Sequence, residues 1–419
     1  MYLIGDQRLE AGSPEFAEAI AAAHSAHQRP RCLCLAGGIE MYVSRLPGVH
    51  ARNGESFIVK RMPDTGSRHA PDCPSYEPPS QISGLGQVLG SAIIEDPASG
   101  GTTLKLDFAM SRVARGSTAP ASATESASVG SKGAGLSLRG LLHYLWDQAE
   151  LTRWHPGFSG KRSWATVRSH LLQAAMGKTA RGASLRSRLY VPEVFAVEHR
   201  ESIDARRAAQ WSSASAEPGK PLQLMLLIGE LKEIMPARYG FRAVVKHVPD
   251  HPFALDEQLF RRIERRFQAE LTLWGATEDT HMVVIATFSV AAGGVPSIAE
   301  LSLMPVTRHW LPVESTFERQ LVERLVDDGR RFIKGLRYDL GTASVPAFAS
   351  LTDCGSSAPV LFVVPGGVED FRPLDQVREA STPVWVWRPL EQAMPLLPRA
   401  ASLPASSGGG RSINGEPCP

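Results

Sequence analysis

The chain has 419 residues, of which 43% are hydrophobic and 21% are charged, and its formal net charge is only +2. These values are ordinary for a soluble globular protein and by themselves indicate no particular partner. The N-terminus lacks a basic segment followed by an apolar one, and the longest apolar runs fall short of the roughly 20 residues of a membrane span. We therefore expect neither a secretory signal nor a transmembrane helix, and a cytoplasmic location.

Residues 1–113 are predicted to form an N-terminal unit of short strands preceded by one helix. The helix is expected over residues 13–27, where Ser13 is suited to the N-cap and Pro14 to the first helical position. Residues 114–135, "ARGSTAPASATESASVGSKGAG", contain no apolar anchor and are predicted to be a flexible linker.

Residues 136–200 are predicted to form a helical basic module of the helix-turn-helix type. Leucines at helical spacing follow Leu138, a break occurs at Pro156, and a second helix is expected over residues 163–175 with Ser163 as its cap. This segment contains ten Lys and Arg against four Asp and Glu, a local charge of +6 against −4 for the remainder. The basic residues are interleaved with tryptophans, and the candidates for contact with phosphate groups are Arg153, Lys161, Arg162 and Arg168. The alternative is that these charges form an ordinary solvated face.

The C-terminal half is predicted to contain two further parts. A polar loop over residues 201–220 leads to an α+β sheet domain over 221–312 and an α/β domain over 313–397, and a disordered tail follows over 398–419. The order of elements after residue 313 resembles a PD-(D/E)XK nuclease core, but Ala347, Phe362 and Val364 stand where its metal-binding and catalytic residues would be. The predicted fold is thus multidomain α+β, with a degenerate nuclease-like C-terminal portion.

Three of the five cysteines and one histidine have the spacing of a metal site. Cys32 and Cys34 form a C-x-C pair, and His69 and Cys73 form an H-x-x-x-C pair. Thiolate and imidazole are the ligands of closed tetrahedral zinc sites, so the set predicts a structural Zn²⁺. His50 and Asp72 are alternative ligands, and buried unpaired thiols are the other interpretation; a disulfide is disfavoured in a chain without an export signal.

A second chemical possibility is a metal-dependent nuclease. Glu230 and Lys232 lie two residues apart in the predicted strand "LLIGELKEI", and side chains at i and i+2 of a strand share one face. The carboxylate would hold Mg²⁺ and the lysine would steady the attacking water or the phosphate. A solvent-facing charge pair is the more ordinary interpretation, because E-x-K arises easily in amphipathic strands.

Several blocks of the chain resemble a known bacterial family. The runs "RCLCLAGGIEMYV", "FIVKRMPDTGSRHAPDCPSYEPP", "GLLHYLWDQAELTRWHPGFSGKR", "LYVPEVF" and "FIKGLRYD" are similar to domain of unknown function 1173, over about Arg31 to Leu397. The resemblance implies that the three N-terminal cysteines are a family trait and that such proteins are often carried on plasmids and integrative elements. It implies no particular activity.

These observations predict a non-enzymatic, zinc-binding, DNA-associated accessory protein of a bacterial mobile element. The alternatives are the nuclease that uses Glu230 and Lys232, and a protein-interaction scaffold without affinity for nucleic acid.

Overall fold

A computed structural model of the chain describes residues 1–46, 56–96, 100–112, 135–214, 221–291, 293–341, 344–368, 371 and 382–401. Helices and strands are mixed along the chain, which confirms an α+β protein. The α-helices of the described residues are α1 (Pro14–Ser25), α2 (Leu85–Val88), α3 (Leu138–Gln148), α4 (Trp164–Ala174), α5 (Leu185–Arg188), α6 (Arg200–Trp211), α7 (Glu257–Arg266), α8 (Gln268–Gly275) and α9 (Thr316–Asp327). The predicted linker lies almost wholly outside these residues, as does most of the predicted tail. The sequence also predicts a short helix over residues 369–379, and of these only Phe371 is described.

The strands are short in the N-terminal third and long in the middle of the chain. They are β1 (Tyr2–Ile4), β2 (Gln7–Leu9), β3 (Arg31–Cys32), β4 (Ile39–Leu46), β5 (Ser56–Arg61), β6 (Ile93–Asp96), β7 (Gly101–Leu104), β8 (Ser111–Arg112), β9 (Arg153–Trp154), β10 (Lys178–Ala180), β11 (Ala183–Ser184), β12 (Leu189–Tyr190), β13 (Leu222–Gln223), β14 (Met225–Pro236), β15 (Phe241–Val245), β16 (Phe253–Leu255), β17 (Thr280–Val290), β18 (Pro296–Thr307), β19 (Phe332–Lys334), β20 (Ala349–Leu351), β21 (Val360–Val363) and β22 (Val384–Trp387).

Serine caps fix the starts of the predicted helices. The Ser13 hydroxyl accepts a hydrogen bond from the Phe16 amide at α1, and Ser163 caps α4 in the same way. Each bond satisfies one of the amides that a helix start leaves without a partner. The helices expected near residues 13–27, 138–149 and 163–175 are therefore confirmed, to within a residue or two at their ends.

The predicted loop over 201–220 is wrong in its first half, because α6 occupies Arg200–Trp211. Ile203, Arg207 and Trp211 are buried at i, i+4 and i+8, so the helix presents one stripe to the core. The Arg207 guanidinium lies 5.5 Å from the centre of the Trp211 ring and pairs with Asp204. The sequence did not indicate this buried stripe because its middle residue, Arg207, is charged.

The middle of the chain forms a small closed sheet. β14 pairs with β15 on one edge and with β17 on the other, and the ring closes through β16 and β18. Side chains of β14 alternate between two cores: Met225 and Leu227 pack inside the ring, whereas Leu226 and Ile228 pack against the helical region. Alternation of this kind follows from the two-residue period of a strand. Both faces of the sheet are thus covered.

The C-terminal sheet has the order β22-β21-β20-β19-β9 and recruits a strand from the predicted basic module. β9 pairs with β19 through Trp154 opposite Phe332 and Arg153 opposite Ile333. One apolar cluster also joins Leu141 of α3 to Met304 of β18. The helical segment is therefore packed on both neighbouring sheets. The remaining sheets are β2-β1-β3-β4-β5, β11-β10-β7-β6 and the pair β13-β8.

Candidate metal centre

The first pair of ligands lies where the N-terminal sheet ends in a tight turn. Cys32 is fixed in β3, which pairs with β1 on one side and β4 on the other. Cys34 follows in the turn that leads into β4, and Gly37 and Gly38 adopt φ angles of +86° and +67° there. Residues with a Cβ rarely adopt such angles, so the two glycines allow the chain to reverse directly after Cys34.

The second pair lies in a compact series of turns over residues 66–77. A 3₁₀ turn at Gly66–Arg68 precedes His69, and the Cys73 amide donates to the Ala70 carbonyl at 2.9 Å. The Ser75 amide then donates to the Cys73 sulfur at 3.4 Å. A Cβ on Gly66 would lie 2.7 Å from Cβ of Glu77, so the two ends of the segment touch. These turns place His69 and Cys73 on the same side.

All four side chains meet at one point. The Cys32 and Cys73 sulfurs are 3.7 Å apart, and Nδ1 of His69 lies 3.4 Å from the Cys34 sulfur and 3.7 Å from the Cys73 sulfur. The four ligand atoms all lie within 4.8 Å of one another. Tetrahedral zinc with Zn–S bonds of ~2.3 Å and a Zn–N bond of ~2.0 Å requires ligand atoms about 3.5–3.8 Å apart. The arrangement therefore fits a tetrahedral metal ion, and the four residues form a group that can bind one.

The centre is enclosed by protein. Cys32, His69 and Cys73 are buried and Cys34 is half-buried. The alternative ligand Asp72 is not part of the cluster, and His50 lies outside the described residues. With four protein ligands and little access from solvent, no coordination position is left open for a substrate, which is the property of structural sites.

Burial controls the protonation of the ligands in the absence of a cation. It raises the pKa of Cys32 and raises that of Cys73 to about 12, and it lowers the pKa of His69, to which the charges of Arg61 and Arg68 also contribute. The imidazole is thus neutral at pH 7, as a metal ligand must be. Its Nε2 is buried and has no hydrogen-bond partner among the described residues, which leaves Nδ1 as the atom that faces the thiols.

The surroundings of the centre contain residues that the sequence did not indicate. Tyr2 lies opposite Cys32 in the β1–β3 pair, and Ile333 and Ala358 of the C-terminal half pack against the same cluster. No local spacing connects these positions with the cysteines, because the contacts are made across sheets that are distant in the sequence. The metal group therefore lies at the junction of the N-terminal sheet and the C-terminal sheet.

The basic residues of the helical segment have different environments. Arg162 donates to the backbone carbonyls of Leu151, His309 and Arg153, and burial lowers its pKa to about 10. The Arg153 side chain donates to the Tyr76 carbonyl.

The other two basic residues lie nearer to solvent. Arg168 donates to the Val191 carbonyl at 3.1 Å and pairs with Glu193 at 3.5 Å, and Lys161 is exposed. Three of the four residues predicted to contact phosphate groups are thus engaged within the protein.

Glu230 and Lys232 do not lie on a common face. Glu230 is buried and contacts Lys246 and Nδ1 of His281, whereas Lys232 is exposed and lies 3.7 Å from Glu233. The β14–β15 register shifts between Leu231 and Glu233, so Lys232 is the extra residue of a β-bulge. The bulge breaks the two-residue alternation on which the predicted pairing depended. Burial alone would raise the pKa of Glu230, but the hydrogen bonds from His281 and Lys246 lower it.

Comparison with known proteins gives a family but no further relatives. No helix among the described residues combines the length and the apolar character that crossing a bilayer requires. Neither the curated proteins nor the solved structures give a match to the chain. The sequence model of one family, described as "Protein of unknown function (DUF1173)", matches residues 2–390. The match covers nearly the whole chain and includes all four metal-binding candidates, so the protein belongs to the DUF1173 family.

Proposed function

We propose that the protein binds one zinc ion through Cys32, Cys34, His69 and Cys73 and that this ion has a structural role. The observation that carries the proposal is the approach of four ligand atoms to within 4.8 Å of one another in an enclosed site. Three thiolates and one imidazole favour Zn²⁺ over Mg²⁺ or Ca²⁺, which prefer oxygen ligands. The ion would be held by the protein alone, without a position for substrate.

The proposed role of the ion is to fasten the N-terminal sheet to the rest of the molecule. The segment that carries His69 and Cys73 also makes polar contacts beyond the site: Arg61 of β5 pairs with Glu77 and donates to the Ser75 carbonyl, and the Tyr76 carbonyl accepts from Arg153 of β9. Zinc would fix this segment relative to β3, and through it the position of β9 and the C-terminal sheet. Loss of the ion should therefore loosen the turns over residues 66–77 and also the contact between the N-terminal sheet and the C-terminal sheet.

Metal content tests this proposal directly. The protein, purified without chelators, should contain one zinc per chain by mass spectrometry of the metal, and Cys73→Ser should contain much less. Cys354→Ser is the matched control, because Cys354 is a half-buried thiol that contacts Arg330 and Asp353 away from the site. An equal zinc content in the two variants, or none in the wild type, would refute the assignment.

Association with DNA is a second proposed function, and a basic surface around His155 favours it. The charges of Arg331, Lys161 and Arg162 all act to lower the pKa of His155, after burial, which makes the largest contribution. Lys161 and Arg331 are exposed, so both are accessible to phosphate groups. Arg162 supports this surface from within, through its bonds to the backbone. Such a patch supports backbone contact with a nucleic acid and carries no sequence specificity.

A salt titration of binding tests this second proposal. Labelled double-stranded DNA should bind the zinc-loaded protein with an affinity that falls steeply with salt. Lys161→Ala/Arg331→Ala should lower the slope by about 1.8, at ~0.9 for each phosphate group that the variant no longer neutralises. Arg261→Ala/Arg262→Ala on α7 removes the same number of exposed charges and is the control. Equal slopes for the two variants, or no binding by the wild type, would exclude this surface.

A further inference from the structure

A cleft of about 690 Å³ lies beside the metal centre and is lined by several parts of the fold, among them the turns over residues 62–83 and the strands β19 and β20. The hairpin of β4 and β5 forms one wall, the strands β6, β7 and β10 form the other, and the C-terminal end of α3 forms the floor. The volume lies within the range of ~300–1,000 Å³ that is typical of small-molecule sites. None of the metal ligands lines it.

One wall carries a row of polar residues in register across three strands. Thr102 of β7 lies opposite Glu95 of the antiparallel strand β6 and opposite Lys178 of the parallel strand β10. Residues that are paired across neighbouring strands lie on the same face of a sheet. Glu95, Thr102 and Lys178 therefore form one row, and all three line the cleft.

The opposite wall adds a second lysine and a tyrosine. Tyr42 of β4 and Lys60 of β5 are register partners, and both line the cleft. The two walls meet at Gly100, where a Cβ would lie 2.9 Å from Oγ of Ser44 and 3.4 Å from Cε2 of Tyr42. Only a residue without a side chain allows the strands to approach this closely.

Lys60 and Lys178 line the cleft without a carboxylate in ion-pair contact, although the charge of Glu95 in the same cleft acts to raise the pKa of both. Lys178 is buried; its Nζ lies 3.3 Å from Oε1 of Gln148 and 5.2 Å from the centre of the Tyr144 ring. Among the described residues, neither Lys60 nor Lys178 has a carboxylate oxygen within the 4.0 Å of an ion pair. Buried charges are ordinarily paired. The buried ammonium of Lys178 and the half-buried one of Lys60 line one cleft without such contacts, which indicates that an anion belongs between them.

The electrostatics of the cleft agree with its geometry. Burial lowers the pKa of Lys178 to about 8, and the charge of Lys60 contributes to the shift; burial also lowers the pKa of Lys60, and the carboxylate of Glu95 partly opposes both shifts. A bound anion would favour the charged form of both groups. Burial raises the pKa of Tyr42 to about 12, so its hydroxyl keeps its proton at neutral pH and can donate a hydrogen bond. The carboxylate of Glu95 supplies the complementary acceptor.

We infer that the cleft binds a small phosphorylated molecule, with its phosphate between Lys60 and Lys178 and a hydroxyl or amine group on Glu95. Tyr42 donates to a further phosphate oxygen, and Gln148 orients the amine of Lys178. The site is distinct from the zinc centre and from the basic surface around His155, because its lining includes none of the four metal ligands and neither His155, Lys161 nor Arg331. Its existence would give this protein a small-molecule ligand in addition to the functions proposed above.

Amine acylation with mass-spectrometric readout tests the inference on the full-length, zinc-loaded protein at pH 8. Saturating ribose 5-phosphate should slow acylation of Lys60 and Lys178 about five-fold or more, as expected when the ligand occupies most sites. Lys105, which is exposed on the chain segment after β7, should react at an unchanged rate. Ribose and sodium chloride at equal ionic strength should protect neither lysine of the cleft.

The variant Lys178→Met retains most of the side-chain volume and removes one charge. It should abolish the protection of Lys60, whereas Lys105→Met should leave it intact; an unchanged zinc content shows that each variant is folded. Acylation rates that do not change with ribose 5-phosphate, or that fall equally at Lys105, would overturn the inference. Protection by a single-stranded oligonucleotide but not by the sugar phosphate would overturn it as well, and would assign the lysines to nucleic acid.

Discussion

Removal of the metal should loosen two segments that are far apart in sequence. Zinc closes a loop of 35 residues between Cys34 and His69. In the chain-entropy description, a cross-link over a loop of this length is worth about 4 kcal/mol. Mass action gives a similar figure, about 4.1 kcal/mol, when free zinc exceeds its Kd about 1,000-fold. We therefore expect chelation to lower the free energy of unfolding of this region by about 4 kcal/mol.

Hydrogen exchange with and without a zinc chelator measures this effect where it arises. Amides of residues 31–38 and 66–77 should exchange about 1,000-fold faster after chelation, the factor that corresponds to about 4 kcal/mol. The Cys354→Ser protein should respond to the chelator as the wild type does, and Cys73→Ser should exchange rapidly without it. Exchange in both segments that is unaffected by chelation would refute the reasoning, because the turns would then be held by packing alone.

Three further predictions concern the remaining fold. Arg162→Ala should lower the free energy of unfolding by about 3 kcal/mol because it leaves the partly buried carbonyls of Leu151 and His309 without this donor, whereas Lys161→Ala should change it by less than about 0.5 kcal/mol. Equal effects of the two substitutions in urea unfolding would contradict this difference. Burial lowers the pKa of His143 well below its ordinary value, so the unfolded chain takes up a proton that the native protein does not. Below about pH 6.5, stability should fall by up to ~1.4 kcal/mol per pH unit for this group, and His143→Gln should reduce that slope; equal slopes would exclude the effect. Gly84→Ala should cost about 3 kcal/mol, because its Cβ would lie 1.8 Å from the Arg337 carbonyl oxygen; a melting temperature equal to that of the wild type would contradict the close packing.

The metal group was predictable because its chemistry is local. C-x-C and H-x-x-x-C each bring two ligands together within a single turn, and few other residue types bind zinc as well. The sequence could not show that the two pairs meet, since this depends on the path of the chain between Cys34 and His69. It also could not show the contact with Ile333, which arises from the packing of two separate sheets.

The functions assigned to charged residues were harder to predict than the elements that carry them. Leucine spacing identified α3 and the Ser163 cap identified α4. Nothing in the local pattern indicated that the guanidinium of Arg162 would donate to carbonyls of two separate segments, at Leu151 and Arg153 and at His309. The same difficulty applies to Lys232, because a single bulge in β14 reverses the face of every residue that follows it. Lys178 contributed to a charge count in the sequence, and only the parallel pairing of β10 with β7 places it in a cleft.

X-ray absorption at the zinc edge is the most direct test of the central claim. The purified protein should show one zinc in a shell of three sulfurs at ~2.3 Å and one nitrogen at ~2.0 Å. Cys34→Ser should lower the sulfur count from three to two, or lose the metal altogether. A shell that contains only oxygen and nitrogen ligands, or a protein without zinc, would contradict a Cys3His centre at Cys32, Cys34, His69 and Cys73.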